Sequence, residues 1–217
     1  MIRTRWFVVG WQVDQTVTQG GQLMDVAQMF LARHGLMHTR VNGLTEGLTD
    51  EQVRGHVHPA ANPLAWLLWH IVRSEDASVN LLVTAGPQVL DDAWARRLKV
   101  ARRDIGEGMT MAEVDQLCET IDLDALLAYW AAVGERTAAV VSALAPGALD
   151  TVISPKEFER AIVDEGMLSG PLVSRIQELW AGMTRGRFLM YLPFTHNYEH
   201  IGQADLLRGL LARPGPF

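Results

Sequence analysis

Apolar residues recur along this chain at three- and four-residue intervals, and the strict alternation of a half-buried strand is nearly absent. The first such stretch runs from about Gln22 to Val41. Leu23, Val26, Ala27, Phe30, Leu31, Met37 and Val41 form one stripe there, and Asn42-Gly43 supplies a stop. Thr49-Asp50-Glu51-Gln52 has the form of a capping box and predicts a short helix. Asn62-Pro63 reads as an N-cap followed by proline at the first helical position. The second long helix follows through Leu64, Leu67, Leu68, Ile71 and Val79, and Gly86-Pro87 ends it. Asp122 opens the third, with Leu123, Leu126, Leu127, Trp130, Val133, Thr137, Val140, Val141 and Leu144 inward and Pro146-Gly147 closing it. The fourth runs from Thr184 to Leu211. Pro193 within it lacks a backbone donor and crowds the carbonyl of Leu189, which predicts a kink just before a histidine pair.

The stretches 87–121 and 146–183 are long connections containing short helices such as 111–118 and 171–180. The expected fold is all-α: a four-helix bundle with elaborated connections. It forms a single domain over 1–217, with its core at about 22–211 and residues 1–21 as an N-terminal arm.

Composition narrows the function classes. Of the 217 residues 48% are hydrophobic, yet no apolar run approaches the roughly 20 residues that span a bilayer. The cluster Trp6-Phe7-Val8-Val9-Gly10-Trp11 is too short for a signal-peptide core, so a cytoplasmic protein is expected. A net charge of −6 argues against a nucleic-acid surface. Arg96-Arg97-Leu98-Lys99 with Arg102-Arg103 is bracketed by Asp91, Asp92, Asp104 and Glu107, and reads as a self-compensated segment. The single cysteine allows no intrachain disulfide, which suits a reducing compartment. That residue, Cys118, lies between Asp115 and Glu119, whose charges disfavour a thiolate, so it reads as structural.

The chemistry concentrates in histidines. His196 and His200, four apart, return to nearly the same azimuth of a helix and can ligate one divalent ion. Counting about 100° per residue, their face also carries Leu189, Leu192, Gln203 and Leu207. Two ligands hold a catalytic ion poorly, and His70 is the best third donor. His34 and His38 share the four-residue spacing and also fall on an apolar stripe, so periodicity alone does not rank the two pairs. His56 and His58, beside Pro59, belong to a loop before the second helix. There is no HExxH and no Glu-x-x-His, which disfavours a metalloprotease and a carboxylate-rich di-iron bundle.

Asn62-Pro63-Leu64-Ala65-Trp66-Leu67-Leu68-Trp69-His70, with Gly47-Leu48-Thr49-Asp50-Glu51-Gln52 upstream, resembles the first connection and second helix of the DinB/YfiT-like metal-binding bundles. His196-x-x-x-His200-x-Gly202-Gln203 and the following Leu206-Leu207-Arg208-Gly209-Leu210-Leu211 resemble that family's last helix. The resemblance covers about Gln22 to Leu211. It implies that His70, His196 and His200 bind a divalent metal, commonly zinc or nickel, with water completing the shell. It leaves His34 and His38 as core or supporting residues. Pro193 and the length of 146–183 depart from a minimal member.

Three neutral imidazoles leave the ion its full charge and open positions, the pattern of a catalytic rather than a structural site. Relatives act with bacillithiol, mycothiol or glutathione, so the resemblance implies a transferase or isomerase using a low-molecular-weight thiol. The alternatives are a metal-dependent hydrolase using metal-bound hydroxide and a non-catalytic metal-binding protein of the stress response. Arg73 is a candidate for holding a cosubstrate carboxylate, Gln203 for hydrogen bonding a ligand imidazole or water, and Glu199 for acid/base work. The expected partner is a small-molecule substrate, with no nucleic acid and no membrane, and homodimer formation left open.

Overall fold

A computed structural model of the protein describes residues 24–171 and 173–212. The predicted N-terminal arm, 1–21, and the first residues of the predicted first helix lie outside them. Four long helical segments carry the fold. Asp25 caps α1 (Val26–Asn42) through a capping box with Gln28. Thr49 and Gln52 do the same for the short α2 (Asp50–Arg54). The second long segment is α3 (Leu64–Ala77), which continues as a π-helical stretch Ser78–Val83. Its N-cap is Pro63 without a side-chain cap, one residue later than the Asn62 that the sequence suggests. After α4 (Asp92–Leu98) and α5 (Met111–Thr120), Asp122 caps the 20-residue α6 (Leu123–Ser142). The connection after it contains α7 (Pro155–Glu159), a π-helical Arg160–Asp164, and α8 (Val173–Trp180). The fourth segment is α9 (Arg185–Met190), a π-helical stretch Tyr191–His196, and α10 (Asn197–Leu211). The irregularity expected from Pro193 takes the form of this π-helical stretch, which accommodates the missing backbone donor.

The bundle closes as a ring: α1 packs on α6, α6 on α3, α3 on α10, and α9 returns to α1. The long connection builds an apolar region of its own, in which Phe158, Ile162, Trp180 and Met183 gather around Phe188 and the π-helical end of α3. Cys118 is buried, and burial pushes its thiol up to about 12. The basic segment is compensated in part by the acids bracketing it, Arg103 pairing with Asp92 and Arg102 with Asp104, and in part by acids further along, Glu113 for Arg102 and Asp122 for Lys99, while Arg97 lies over the Trp94 ring. Among the described residues no helix is long and apolar enough to cross a membrane.

Periodicity predicts one inward face for α3, but every residue from Leu64 to Val83 is buried. Arg73, Ser74, Glu75, Asp76, Ser78 and Asn80 are all under cover. The segment between α3 and α5 supplies the extra side. Asp76 accepts from Val89 N and Leu90 N at 2.8 and 2.9 Å, and Arg73 donates to Gln88 Oε1 and the Arg103 carbonyl at 2.7 and 2.5 Å. Arg73 also pairs with Asp76 at 2.9 Å, and Tyr129 donates to the same carboxylate. Burying these charges is tolerable only because each is matched by the others and by backbone groups.

Candidate metal centre

The centre of α3 presents His70, and the end of the π-helical stretch and first turn of α10 present His196 and His200. Their Nε2 atoms converge, with His70–His196 at 3.1 Å and His196–His200 at 3.2 Å. The pair does not lie on the buried stripe that the sequence assigns to it. The core stripe of α10 is Asn197, Ile201, Ala204 and Leu207, while His196 and His200 are half-buried beside it and Gln203 is exposed. The π-helical stretch breaks the α phase between Leu192 and His196, so azimuths counted through it shift.

Each ring is held by its other nitrogen. His70 Nδ1 lies 2.5 Å from the Ile105 carbonyl, which can only accept, so Nδ1 carries the proton. His196 Nδ1 donates to Asn197 Oδ1 at 3.2 Å. The Asn197 amide is oriented by its own NH2 group, which donates to the Ile71 carbonyl at 3.0 Å. His200 Nδ1 donates to Gln203 Oε1 at 2.9 Å. Burial, then the neighbouring His196 and His200, push His70 down to about 3. Burial and His200 lower His196 to about 4. Neutral rings with protons on Nδ1 have none on Nε2.

With Nδ1 donating, the neutral form of each ring turns the lone pair of Nε2 towards one point. Without a cation that arrangement is repulsive. Nitrogens about 2.0–2.1 Å from one ion, at tetrahedral or octahedral angles, stand roughly 2.9–3.4 Å apart, and the observed spacings fall in that interval. The residues fit a divalent ion.

The surroundings are shaped to the histidines. Trp66 stacks on His70 with centroids 4.6 Å apart and an interplanar angle of 12°, and meets His200 edge-on at 6.5 Å. The loop that delivers the Ile105 carbonyl turns at Gly106, where φ is +85°. A Cβ there would also stand 3.3 Å from Met109 Sδ and 3.7 Å from His70 Nδ1, so glycine serves both the turn and the close approach. Asp104 anchors this loop by accepting from Gly106 N at 2.9 Å and pairing with Arg102.

Other sequence candidates lie apart. Arg73, one turn beyond His70, has 0% exposure and its terminal nitrogens are committed to the Asp76–Tyr129 network, so it presents no face to an entering carboxylate. Glu199 is exposed, and Gln203 touches the site only through His200. His56 links the Ala61 carbonyl to Asp115, whose hydrogen bond raises its pKa, and His58 accepts from Ala60 N. His34 and His38 gather instead around Glu75 on another side of α3, with His34 Nε2 at 2.7 Å and His38 Nε2 at 3.1 Å from its carboxylate.

Sequence reasoning missed Asn197, Ile105 and Glu75. Asn197 directly follows a histidine, and a polar residue on the core stripe of α10 was the available signal. A backbone carbonyl leaves none, and Glu75 looks like any helix glutamate until its surroundings are known.

A family model described as the DinB superfamily matches residues 35–204. A solved structure, described as the conserved protein of locus from Enterococcus faecalis, superposes with a TM-score of 0.64. It is 18% identical, and the match covers 87% of this chain and 98% of that one. At that identity the likeness concerns the fold. Among curated proteins no match is significant.

Proposed function

The chain belongs to the DinB superfamily, and from that premise we propose that it is a metalloenzyme of small-thiol-dependent group transfer, centred on His70, His196 and His200. Membership and the three-histidine cluster are compatible with a metal-binding enzyme. The observation that carries the metal reading is the convergence of three Nε2 atoms whose rings each have an oxygen acceptor in place at Nδ1. Imidazole donors suit zinc or nickel. Such an ion, when bound, supplies Lewis acidity that makes a thiol or water acidic enough to react near neutral pH.

The chain's own residues support the thiol choice. Cys118 is buried with its thiol raised to about 12, so this sole cysteine is no nucleophile and the sulfur must come with a cosubstrate. Ile105, Asn197 and Gln203 hold the three rings, and the flat side of Trp66 fixes His70.

The test starts with elemental analysis of protein purified without a metal-affinity tag. One zinc or nickel per chain is expected, falling sharply in His70→Ala, His196→Ala or His200→Ala. The loaded protein is then given a model electrophile with bacillithiol, mycothiol, glutathione or no thiol. Turnover that needs one of the thiols and vanishes in His196→Ala, with helicity unchanged, is expected. Equal turnover of esters or amides without thiol would make it a hydrolase, and silence throughout at full occupancy a binding protein.

A further inference from the structure

We propose that His34, His38 and Glu75 form a second site for a first-row divalent metal ion, independent of the first and weaker than it. His34 and His38 stand one turn apart on α1, and Glu75 reaches them from α3. Both imidazoles present Nε2 to the carboxylate: His34 lies 2.7 Å from Oε1, and His38 lies 3.2 and 3.1 Å from Oε1 and Oε2. All three donors fall within 4.8 Å of one another. Two histidines and one carboxylate are a donor set that zinc and ferrous ions use with open positions.

The rings are built into place. His34 stacks on Phe30 at 5.2 Å, and His38 on Trp130 at 3.8 Å and 16°. His38 occupies the space over Gly134 where a Cβ would lie 2.3–2.4 Å from its ring, so the absence of a side chain at 134 makes its seat. The carboxylate is wholly buried, and the two imidazoles are its only side-chain partners among the described residues. One turn along the buried face of α6 that carries Trp130 and Gly134 is Thr137, fully buried, its hydroxyl without a hydrogen-bond partner among the described residues. His38 retains 14% exposure of its side chain, which leaves a path from solvent.

Empty, this cluster is held together by Nε2–H groups donating to Glu75. Binding replaces those protons with the ion: a neutral ring moves its proton to Nδ1, and a charged ring gives its proton to the buffer. That exchange is why the affinity is lower than at the three-histidine site, which has no such bonds to surrender.

The test uses the full chain and cobalt(II) alone, with bound metal counted after desalting. Two equivalents are expected for the unsubstituted chain, the second binding more weakly, and one each for the His196→Ala/His200→Ala variant and for Glu75→Gln. Adding Glu75→Gln to the double variant should abolish binding. A folded double variant that takes up no cobalt, or a Glu75→Gln chain that still binds two, overturns the proposal. Independently of any substitution, the second equivalent should shift the NMR ring signals of His34 and His38 in the unsubstituted chain. A second equivalent that leaves both unmoved equally overturns it.

Discussion

Two histidine clusters flank the same buried helix, each begins with a pair four residues apart, and they differ in the third partner. At one, His70 brings another imidazole, and every Nδ1 has an oxygen to donate to. At the other, Glu75 brings a carboxylate, and both Nε2 atoms face it. The first arrangement gathers lone pairs and is incomplete without a cation. The second satisfies itself with protons and takes a cation only by exchange. The spacing that sequence offers is the same, so the third residue decides the chemistry.

The sharpest way to break this comparison is Glu75→Ala. It removes the only side-chain acceptor, among the described residues, of two imidazoles that are mostly buried, and should cost about 3 kcal/mol in urea unfolding, the low end for a broken buried pair. Metal at the three-histidine site should persist in the folded fraction, and its disappearance would show the clusters to be one unit. Asn197→Ala should act the opposite way. Losing the acceptor of His196 should weaken the first ion about 10–100-fold in competition with a chelator, while cobalt at Glu75 is unchanged.

Gly134→Ala pushes a methyl group into the His38 ring, and about 1–3 kcal/mol of overpacking is expected. Cobalt counts should fall at the second cluster alone. A last test, of protonation rather than packing, is an acid profile of the ion-free protein. The folded chain refuses protons at His70 and His196 that the unfolded chain accepts below 6.5, so their contribution is complete above that pH and lost as pH falls towards about 4 and 3. Glu75 is held at about 2 by His38 and His34 against the cost of burial, so its contribution is present above about 4.5 and lost as pH drops towards 2. Urea midpoints measured from pH 7 to 2 should fall in two overlapping stages, the upper setting in below 6.5 and the lower below 4.5. His196→Gln should flatten the upper stage and Glu75→Gln the lower, and a single stage insensitive to either would contradict the assignment.

α1 and α6 were legible because each exposes one side, and an amphipathic stripe records that in sequence. Helix starts at Thr49, Asp122 and Thr184 were equally local, whereas the cap of α1 at Asp25 was not picked out. The interior of α3 was not legible, because burial on every side is imposed by the segment between α3 and α5. Arg73 reads as an exposed helix arginine for that reason, yet it sits at the centre of a closed polar network. The three histidines could be named from spacing and family resemblance, but the groups that orient them could not. Ile105 contributes only a carbonyl, and its approach depends on the conformation of Gly106.

The π-helical stretch Tyr191–His196 gives the chain a point of exact count. A residue added or lost in the surface connections changes a loop length, which folds absorb at little cost. The same change between Met190 and Asn197 turns everything after it by about 100° relative to α9. Ile201 and Ala204 would leave the core, or, if the core held them, His196 would no longer face His70. Deleting Leu192 should therefore leave a helical protein with an emptied first site, as metal analysis beside circular dichroism can show. Arithmetic along the chain, rather than the identity of any one side chain, sets the aim of the histidines at this position.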